Sequence, residues 1–373
     1  MALMLLGLAG LVVAVAAWWW LHSRPAAPPA RPRPPARRDG QDAGPSALPA
    51  GQARTATPPD DGSAPLPPLP PVALPLRAAE LLDGPQAELL VQALRQLPRP
   101  PRAIHTLMSP QFVQAASSAE LATLVMGEPA VAARVVAAAN SPLYGLQQPV
   151  TSVGQAITFL GLASVRQQCL QHLLADCFKP RDAAQQREFD LLWRASSIAG
   201  ELYQQLATRL RVPETASLVT LLVLSFLGRQ ACAALLDEAD LDGMDAYQRA
   251  LHEEQSLGLV SHELGHLLMR AWDVPRDLAD DARTLSALRF DPERTVPPQR
   301  EAALALGALC AMLGERIARG QVGKALFDPA HDTRPDMAAL RPRLSRPPLD
   351  GLAQELDAPA MLRVVSRLMG PAR

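Results

Sequence analysis

The segment of residues 134–166 constrains the fold most, because it contains a tight corner between two predicted helices. A run of apolar residues at helical spacing is followed by Pro142, which disfavours helical torsions in the residue before it. Gly145 can adopt a left-handed conformation without steric cost. Ser152 and Gln155 have the spacing of a capping box, which predicts that a second helix begins there. The two helices and their corner must then pack against the rest of a helical domain.

This corner also carries a family pattern, in the runs Ala139–Ser141, Tyr144–Gly145, Pro149–Ser152, Gln155–Ile157 and Leu160–Leu162. The pattern resembles the signature of the HDOD domain, an all-helical bacterial signalling module related to HD-type metal phosphohydrolases. The resemblance implies an all-α, multi-helix, HD-like bundle, and it implies an activity only weakly, because one fold supports many functions. Its structural signature consists of Asn140, Ser141, Tyr144, Gly145, Gly161, Gly228, Gly265, Trp272 and Pro275.

The beginning of the chain predicts a membrane anchor at residues 1–21. Its apolar run has about the ~20 residues that a membrane-spanning helix needs. No Lys or Arg precedes the run, whereas several arginines follow it from Arg24 onward, so the positive-inside bias places the C-terminal side in the cytoplasm. We therefore expect a single-pass protein of the inner membrane with a cytoplasmic domain. A cleaved signal peptide is the alternative, and Ala16 and Ala17 could serve as its cleavage site.

Residues 22–75 predict a disordered linker. They contain sixteen of the 37 prolines in the chain, and no aromatic residue occurs between Trp20 and Phe112. A segment without large apolar side chains cannot offset the entropy lost on ordering.

The following segment, residues 76–325, predicts one helical domain, because strand-like alternation of apolar and polar residues is essentially missing there. For residues 326–373 we expect a Pro- and Arg-rich loop at 328–350 and a last short helix at 359–369.

Composition excludes some functions. A net charge of −1 provides no global basis for binding nucleic acid. The four cysteines form no CxxC pair, which favours reduced thiols in the core of a cytosolic domain.

The second half of the domain lacks the metal ligands of HD enzymes. Relatives of this kind commonly carry a Trp-x-His-Ser pattern and a Leu-His-Asp-Ile-Gly run, and here Ala195 stands at the His position of the first. Ser225 and Phe226 replace the paired His and Asp of the second. A phenylalanine offers no donor to a metal ion, so hydrolysis of the HD type is not expected.

One motif suggests a different function. His262, Glu263 and His266 form an HExxH sequence, the pattern of zinc proteases, in which two histidines bind zinc and the glutamate is the general base. The extended form of the motif would have Gly and His where Met269 and Trp272 stand. The same residues also fit the HDOD pattern in register, with the histidine starting a core helix.

Two function classes follow from the sequence. The favoured one is a non-catalytic regulatory module that is tethered to the inner membrane, has no cofactor and binds signalling proteins of unknown identity. The alternative is a membrane-anchored zinc metalloprotease that uses His262, Glu263 and His266.

Overall fold

The computed structural model describes one helical body of the chain. The residues it describes are 74, 76–82, 84–141, 148–213, 215–236, 243–321 and 332–369. The predicted anchor at residues 1–21, nearly all of the predicted linker, and the signature residues Tyr144 and Gly145 lie outside the described residues.

The all-α prediction is confirmed, since the described residues form helices, turns and loops and no strand. A 3₁₀ turn at Ala79–Leu81 is followed by α1 (Gly84–Gln96), α2 (Ala103–Met108), α3 (Pro110–Ala115), α4 (Ser118–Met126), α5 (Pro129–Ala139), α6 (Val153–Leu160), α7 (Leu162–Ala175), α8 (Ala183–Arg209), α9 (Thr215–Ser225), α10 (Leu227–Leu235), α11 (Ala246–Leu257), α12 (Ser261–Ala271), α13 (Arg276–Ala287), α14 (Pro298–Ala318), α15 (Pro335–Leu344), α16 (Leu352–Asp357) and α17 (Pro359–Met369).

Asn140 joins the two sides of the predicted corner. It is the C-cap of α5, and its Nδ2 donates hydrogen bonds to the carbonyl oxygens of Val136, at 2.9 Å, and of Val150, at 2.7 Å. Its Oδ1 accepts a hydrogen bond from the Val150 amide at 2.8 Å. One side chain thereby satisfies backbone groups at the end of α5 and just before α6, and this fixes the distance between the two helices.

The capping of α6 agrees only partly with the sequence prediction. Ser152 is the N-cap, and its side chain accepts a hydrogen bond from the Gln155 amide. The Gln155 side chain instead accepts hydrogen bonds from the amide and hydroxyl of Thr151, so the reciprocal half of the box is shifted by one residue. After α6, Gly161 has a φ of 85°, which a side chain would strain, and it turns the chain into α7.

Helices in the second half of the domain approach one another closely. The most extensive contact is between α8 and α14, where a Cβ added at Gly314 would lie 2.4 Å from the Ala195 carbonyl oxygen. Helices α10 and α12 cross at Gly228 and Gly265, and a Cβ at Gly228 would lie 1.8 Å from the Ser261 carbonyl oxygen. Gly314, Gly228 and Gly265 have no side chain to accommodate, and the backbone of the neighbouring helix occupies the space that a Cβ would need.

One apolar stretch, Ser217–Leu235, would be able to cross a membrane by length and composition alone. It comprises most of α9 and all of α10, and 78% of its apolar window is buried inside the domain. The core helices of a soluble domain satisfy the same criterion, so we assign this stretch to the core.

The loop predicted at 328–350 is wrong over part of its length, because α15 occupies Pro335–Leu344. Met337, Leu340 and Leu344 are buried at helical spacing, and their burial outweighs the unfavourable proline at 342. The last helix lies where the sequence predicted it. Helix α15 packs on α14, and α17 packs on α8 and α14, so both belong to the same hydrophobic core.

Candidate functional site

The positions of the HD metal ligands are filled by packing. Ala195 is fully buried at the contact of α8 with α14, and Phe226 is 2% exposed between α9 and α10. The Ser225 hydroxyl donates a hydrogen bond to the Leu222 carbonyl oxygen at 2.8 Å. A cavity of about 30 Å³, which we call the small cavity, lies beside Phe226 and is also lined by His262. This volume is about that of one water molecule.

The donor set does not fit a metal ion at this place. A catalytic zinc site uses three protein ligands with N, O or S donors. Among the residues that the structure describes, no group of three or more His, Cys, Asp or Glu side chains is arranged to hold a metal ion. No catalytic step can therefore be assigned to a metal bound by these side chains.

The HExxH sequence lies on α12, and its glutamate is held by an ion pair. The Arg283 guanidinium donates from Nε to Glu263 Oε1 at 2.7 Å, and its Nη2 lies 2.7 Å from Oε2. The Ala79 amide donates to the same Oε2 at 2.8 Å. Since both carboxylate oxygens have donors and the side chain is buried, Glu263 is not placed to take a proton from a water molecule.

The two histidines of this motif have separate surroundings. His262 is buried and stacks on Phe290, with 6.0 Å between ring centroids. Burial, together with the positive charges of Arg294 and Arg283, lowers the pKa of His262 to about 3, so the ring is neutral at neutral pH. His266 instead places Nε2 at 2.8 Å from Asp280 Oδ1.

The Nδ1 atoms of both histidines are buried without a hydrogen-bond partner among the described residues. Two imidazole nitrogens without a third donor do not make a zinc site.

A short segment before α1 crosses this region. The Leu74 amide donates to the Phe290 carbonyl oxygen at 3.0 Å, and the Arg77 amide donates to Glu254 Oε1. Glu80 accepts two hydrogen bonds from Arg283, at 2.8 and 2.9 Å. These bonds are the main reason why the pKa of Glu80 is lowered to about 2. Arg283 thus links the 3₁₀ turn at Ala79–Leu81 to the HExxH helix α12.

A larger cavity, of about 370 Å³, adjoins the small cavity and lies among α10, α11, α14 and α15. We call it the arginine pocket, since the described residues that line it include Arg229, Arg249, Arg289, Arg316, Arg319 and Arg334. Sequence reasoning missed it. These arginines are distributed over a hundred residues with no local motif, and only the packing of four helices brings them together.

The family model described as HDOD domain matches residues 97–287, which is just over half of the 373-residue chain. The chain belongs to the HDOD domain family. No curated protein matches it. The HDOD match ends before Arg289 and before α14 and α15, so much of the arginine pocket is built from residues outside the matched segment.

Two solved structures show the same fold. An HDOD domain protein of unknown function from Geobacter sulfurreducens is 18% identical, with a TM-score of 0.52, and the alignment covers 76% of this chain and 98% of that one. A protein from Shewanella amazonensis SB2B, whose name describes a phosphohydrolase, is 22% identical with a TM-score of 0.51, covering 75% of this chain and 96% of that one. At such low identity the likeness shows the HDOD fold alone.

The remaining signature residues lie at packing positions of the HDOD fold. Gly228 and Gly265 form the crossing of α10 with α12. Trp272 follows α12 and is buried, and its ring meets the Phe178 ring edge-on at 6.0 Å. Pro275 is the N-cap of α13. Each of these four residues contributes backbone shape or apolar contact, and none offers an acid, a base or a nucleophile.

Proposed function

We propose that this HDOD protein is a non-catalytic signalling module that is anchored to the inner membrane and acts by binding other signalling proteins. The observation that carries the proposal is the filling of the HD metal positions by Ala195, Ser225 and Phe226. Their side chains supply one hydroxyl, which is bonded to its own helix. A domain that keeps the fold of a hydrolase family without its donors retains a rigid surface for recognition.

The geometry of Glu263 gives less support to the zinc-protease alternative. A general base needs a free carboxylate oxygen near the attacking water. Here the carboxylate is bonded to Arg283 and to the Ala79 amide.

The absence of catalysis is tested on the purified full-length chain. We expect no hydrolysis of phosphate monoesters, phosphodiesters or peptides with Mg²⁺, Mn²⁺ or Zn²⁺ present. Glu263→Gln is the matched control for peptidase activity, because it removes the general base with almost no change in volume. Hydrolysis that EDTA abolishes, or peptidase activity that Glu263→Gln abolishes, would contradict the proposal.

Partner binding is tested by cross-linking in native membranes and capture of the full-length chain. We expect specific co-purification of another signalling protein, and not of nucleic acid. A chain that captures nothing beyond what an unrelated membrane-anchored control captures would contradict the interaction proposal.

The anchor has its own test. The arginines that follow residues 1–21 favour a cytoplasmic C-terminus. A reporter that is active only in the periplasm, fused after Arg373, should therefore remain inactive, and an active reporter would contradict the proposed orientation.

A further inference from the structure

We propose that the arginine pocket binds a phosphorylated small molecule of nucleotide size. The inference goes beyond the proposed signalling role and does not depend on it. It rests on unused hydrogen-bond donors, on an excess of positive charge at one wall, and on the size and shape of the cavity.

Two guanidinium groups at the pocket, those of the buried Arg249 and the largely buried Arg229, make no hydrogen bond within the part of the chain that the structure describes. The Arg249 side chain is 8% exposed, and its nearest carboxylate is that of Glu188, 3.5 Å from Nη1. The Arg229 side chain is 12% exposed, with Glu253 at 3.8 Å and Glu315 at 3.9 Å. Neither arginine makes a hydrogen bond to any residue that the structure describes. A guanidinium has five N–H donors, so both side chains have donors left for a ligand.

The carboxylates near these arginines are largely engaged with other residues. Glu188 accepts hydrogen bonds from Arg319, at 2.5 and 3.2 Å, which leaves Arg249 at a longer distance. Asp336 accepts from Arg316 at 2.8 Å.

Other charged groups at the pocket are bonded to one another or to backbone. Asp332 accepts from both Arg316 and Arg334, and the Asp245 side chain caps α11. Arg316, Arg319 and Arg334 therefore hold the walls of the pocket together through these bonds. Arg229, Arg249 and Arg289 are the arginines that could donate hydrogen bonds to a ligand.

Arg289 is the third arginine at the pocket that has hydrogen-bond donors left over. Its contacts are a hydrogen bond to Asp336 at 3.3 Å and an ion pair with Glu315 at 3.6 Å, and its Nε is buried without a hydrogen-bond partner among the described residues. The described residues that line the pocket include six arginines and three carboxylates, those of Asp245, Glu315 and Asp336.

The charged groups at the pocket shift one another's pKa values, and Glu315, Glu253 and Glu188 raise the pKa of Arg229 against the opposing effect of burial. Burial lowers the pKa of Arg249 to about 10, and the charges of Arg229 and Arg319 add to the effect. Burial would raise the pKa of Glu315, but the surrounding arginines, led by Arg229 and Arg289, hold it at about 2. An anion in the pocket would relieve the repulsion that Arg229 and Arg319 exert on Arg249.

The size and shape of the cavity select the class of anion. A volume of about 370 Å³ falls in the range of small-molecule sites. Arginine forks match phosphate oxygens in a bidentate geometry. Tyr247 also lines the pocket and supplies an aromatic ring, which lies 5.4 Å from that of Phe290 between centroids. A phosphate group beside the arginines and a planar group near Tyr247 match the two chemistries that the pocket offers.

The experiment measures binding to the full-length chain by calorimetry and thermal unfolding. The probes are inorganic phosphate, pyrophosphate, AMP, GMP, and the nucleosides adenosine and guanosine. We expect a phosphorylated probe to bind and raise the Tm, and the matching nucleoside to do neither. Arg249→Gln should weaken binding by about tenfold or more, as loss of a charge-assisted hydrogen bond predicts.

The control variant is Arg343→Gln, which removes an arginine with 9% exposure whose partners are Glu301 and the carbonyls of Pro292 and Arg294. It should lower the Tm and keep the affinity. If Arg249→Gln does not fold, Arg229→Gln takes its place with the same expected loss. Binding of no phosphorylated probe, or equal affinity in the pocket variant and Arg343→Gln, would overturn the inference.

Chromatography of the ligand after binding separates this inference from the proposed function. A hydrolysed ligand would contradict the non-catalytic role, but it would not contradict the binding site.

Discussion

The small cavity and the arginine pocket share a wall, formed by Arg229, Arg289 and Glu315, yet their other surfaces differ. On the side of the small cavity, Phe226 and backbone fill the space, and the Ser225 hydroxyl is bonded to its own helix. On the other side, the guanidinium groups of Arg229 and Arg249 line a cavity and make no hydrogen bond among the residues that the structure describes. The first region is thus closed by packed side chains, and the second has polar donors available at a cavity.

The strongest test of the packed side is a substitution at the α10–α12 crossing. Gly228→Val should destabilise the domain by about 3 kcal/mol or more, because a Cβ there would lie 1.8 Å from the Ser261 carbonyl oxygen and the backbones would have to separate. Chemical unfolding of both proteins measures it. Gly154→Ala is the control, since an added Cβ in α6 meets nothing within 4 Å. The control should be neutral or stabilising by up to about 1 kcal/mol, and similar losses in both variants would mean that the crossing is not tight.

The second test concerns the ion pair that engages Glu263. Glu263→Gln removes the charge of the buried carboxylate that pairs with Arg283, with almost no change in volume. The variant should be destabilised by about 1–3 kcal/mol, because the partly buried Arg283 guanidinium loses its buried charged partner. The other partner of Arg283 is Glu80, whose side chain is 62% exposed. Glu80→Gln should therefore lower the free energy of unfolding by less than about 1 kcal/mol. Urea midpoints that rank the two variants in the opposite order would contradict this assignment.

The third test is a pH dependence from His262 at the edge of the small cavity, which is absent near neutral pH and grows as the pH falls. Its folded pKa of about 3 lies below the ordinary value of about 6.5. Between these pH values the unfolded chain binds a proton at this position and the folded chain does not, so stability falls as the pH falls. The slope from this group approaches about 1.4 kcal/mol per pH unit at most. His262→Asn should flatten the stability profile between pH 6.5 and 4, and an unchanged profile would mean that the ring is solvated.

The sequence predicted those parts of the fold that depend on local patterns. The starts of α5 and α6 follow from Pro129 and Ser152, which act within one turn of their own position. The all-α class could also be predicted, because helical periodicity is a local property of the chain.

The contacts that the sequence could not predict are made between residues that lie far apart in the chain. Arg283 bonds Glu80, which is 203 residues away, and no spacing rule relates the two. The arginine pocket likewise needs α10, α11, α14 and α15 in their folded positions. Helix α15 was missed because a Pro- and Arg-rich composition predicts a loop, and burial of Met337, Leu340 and Leu344 decides otherwise.

The central claim is that the HD-like core of this protein carries no metal chemistry, and metal analysis tests it most directly. The full-length chain, purified from cells grown with added Zn²⁺, Mn²⁺ and Fe²⁺, would be analysed by mass spectrometry for bound metal after removal of loosely held ions. We predict less than one equivalent of metal per chain, and the same amount in His266→Ala as in the parent. One tightly held equivalent per chain that His266→Ala removes would contradict it.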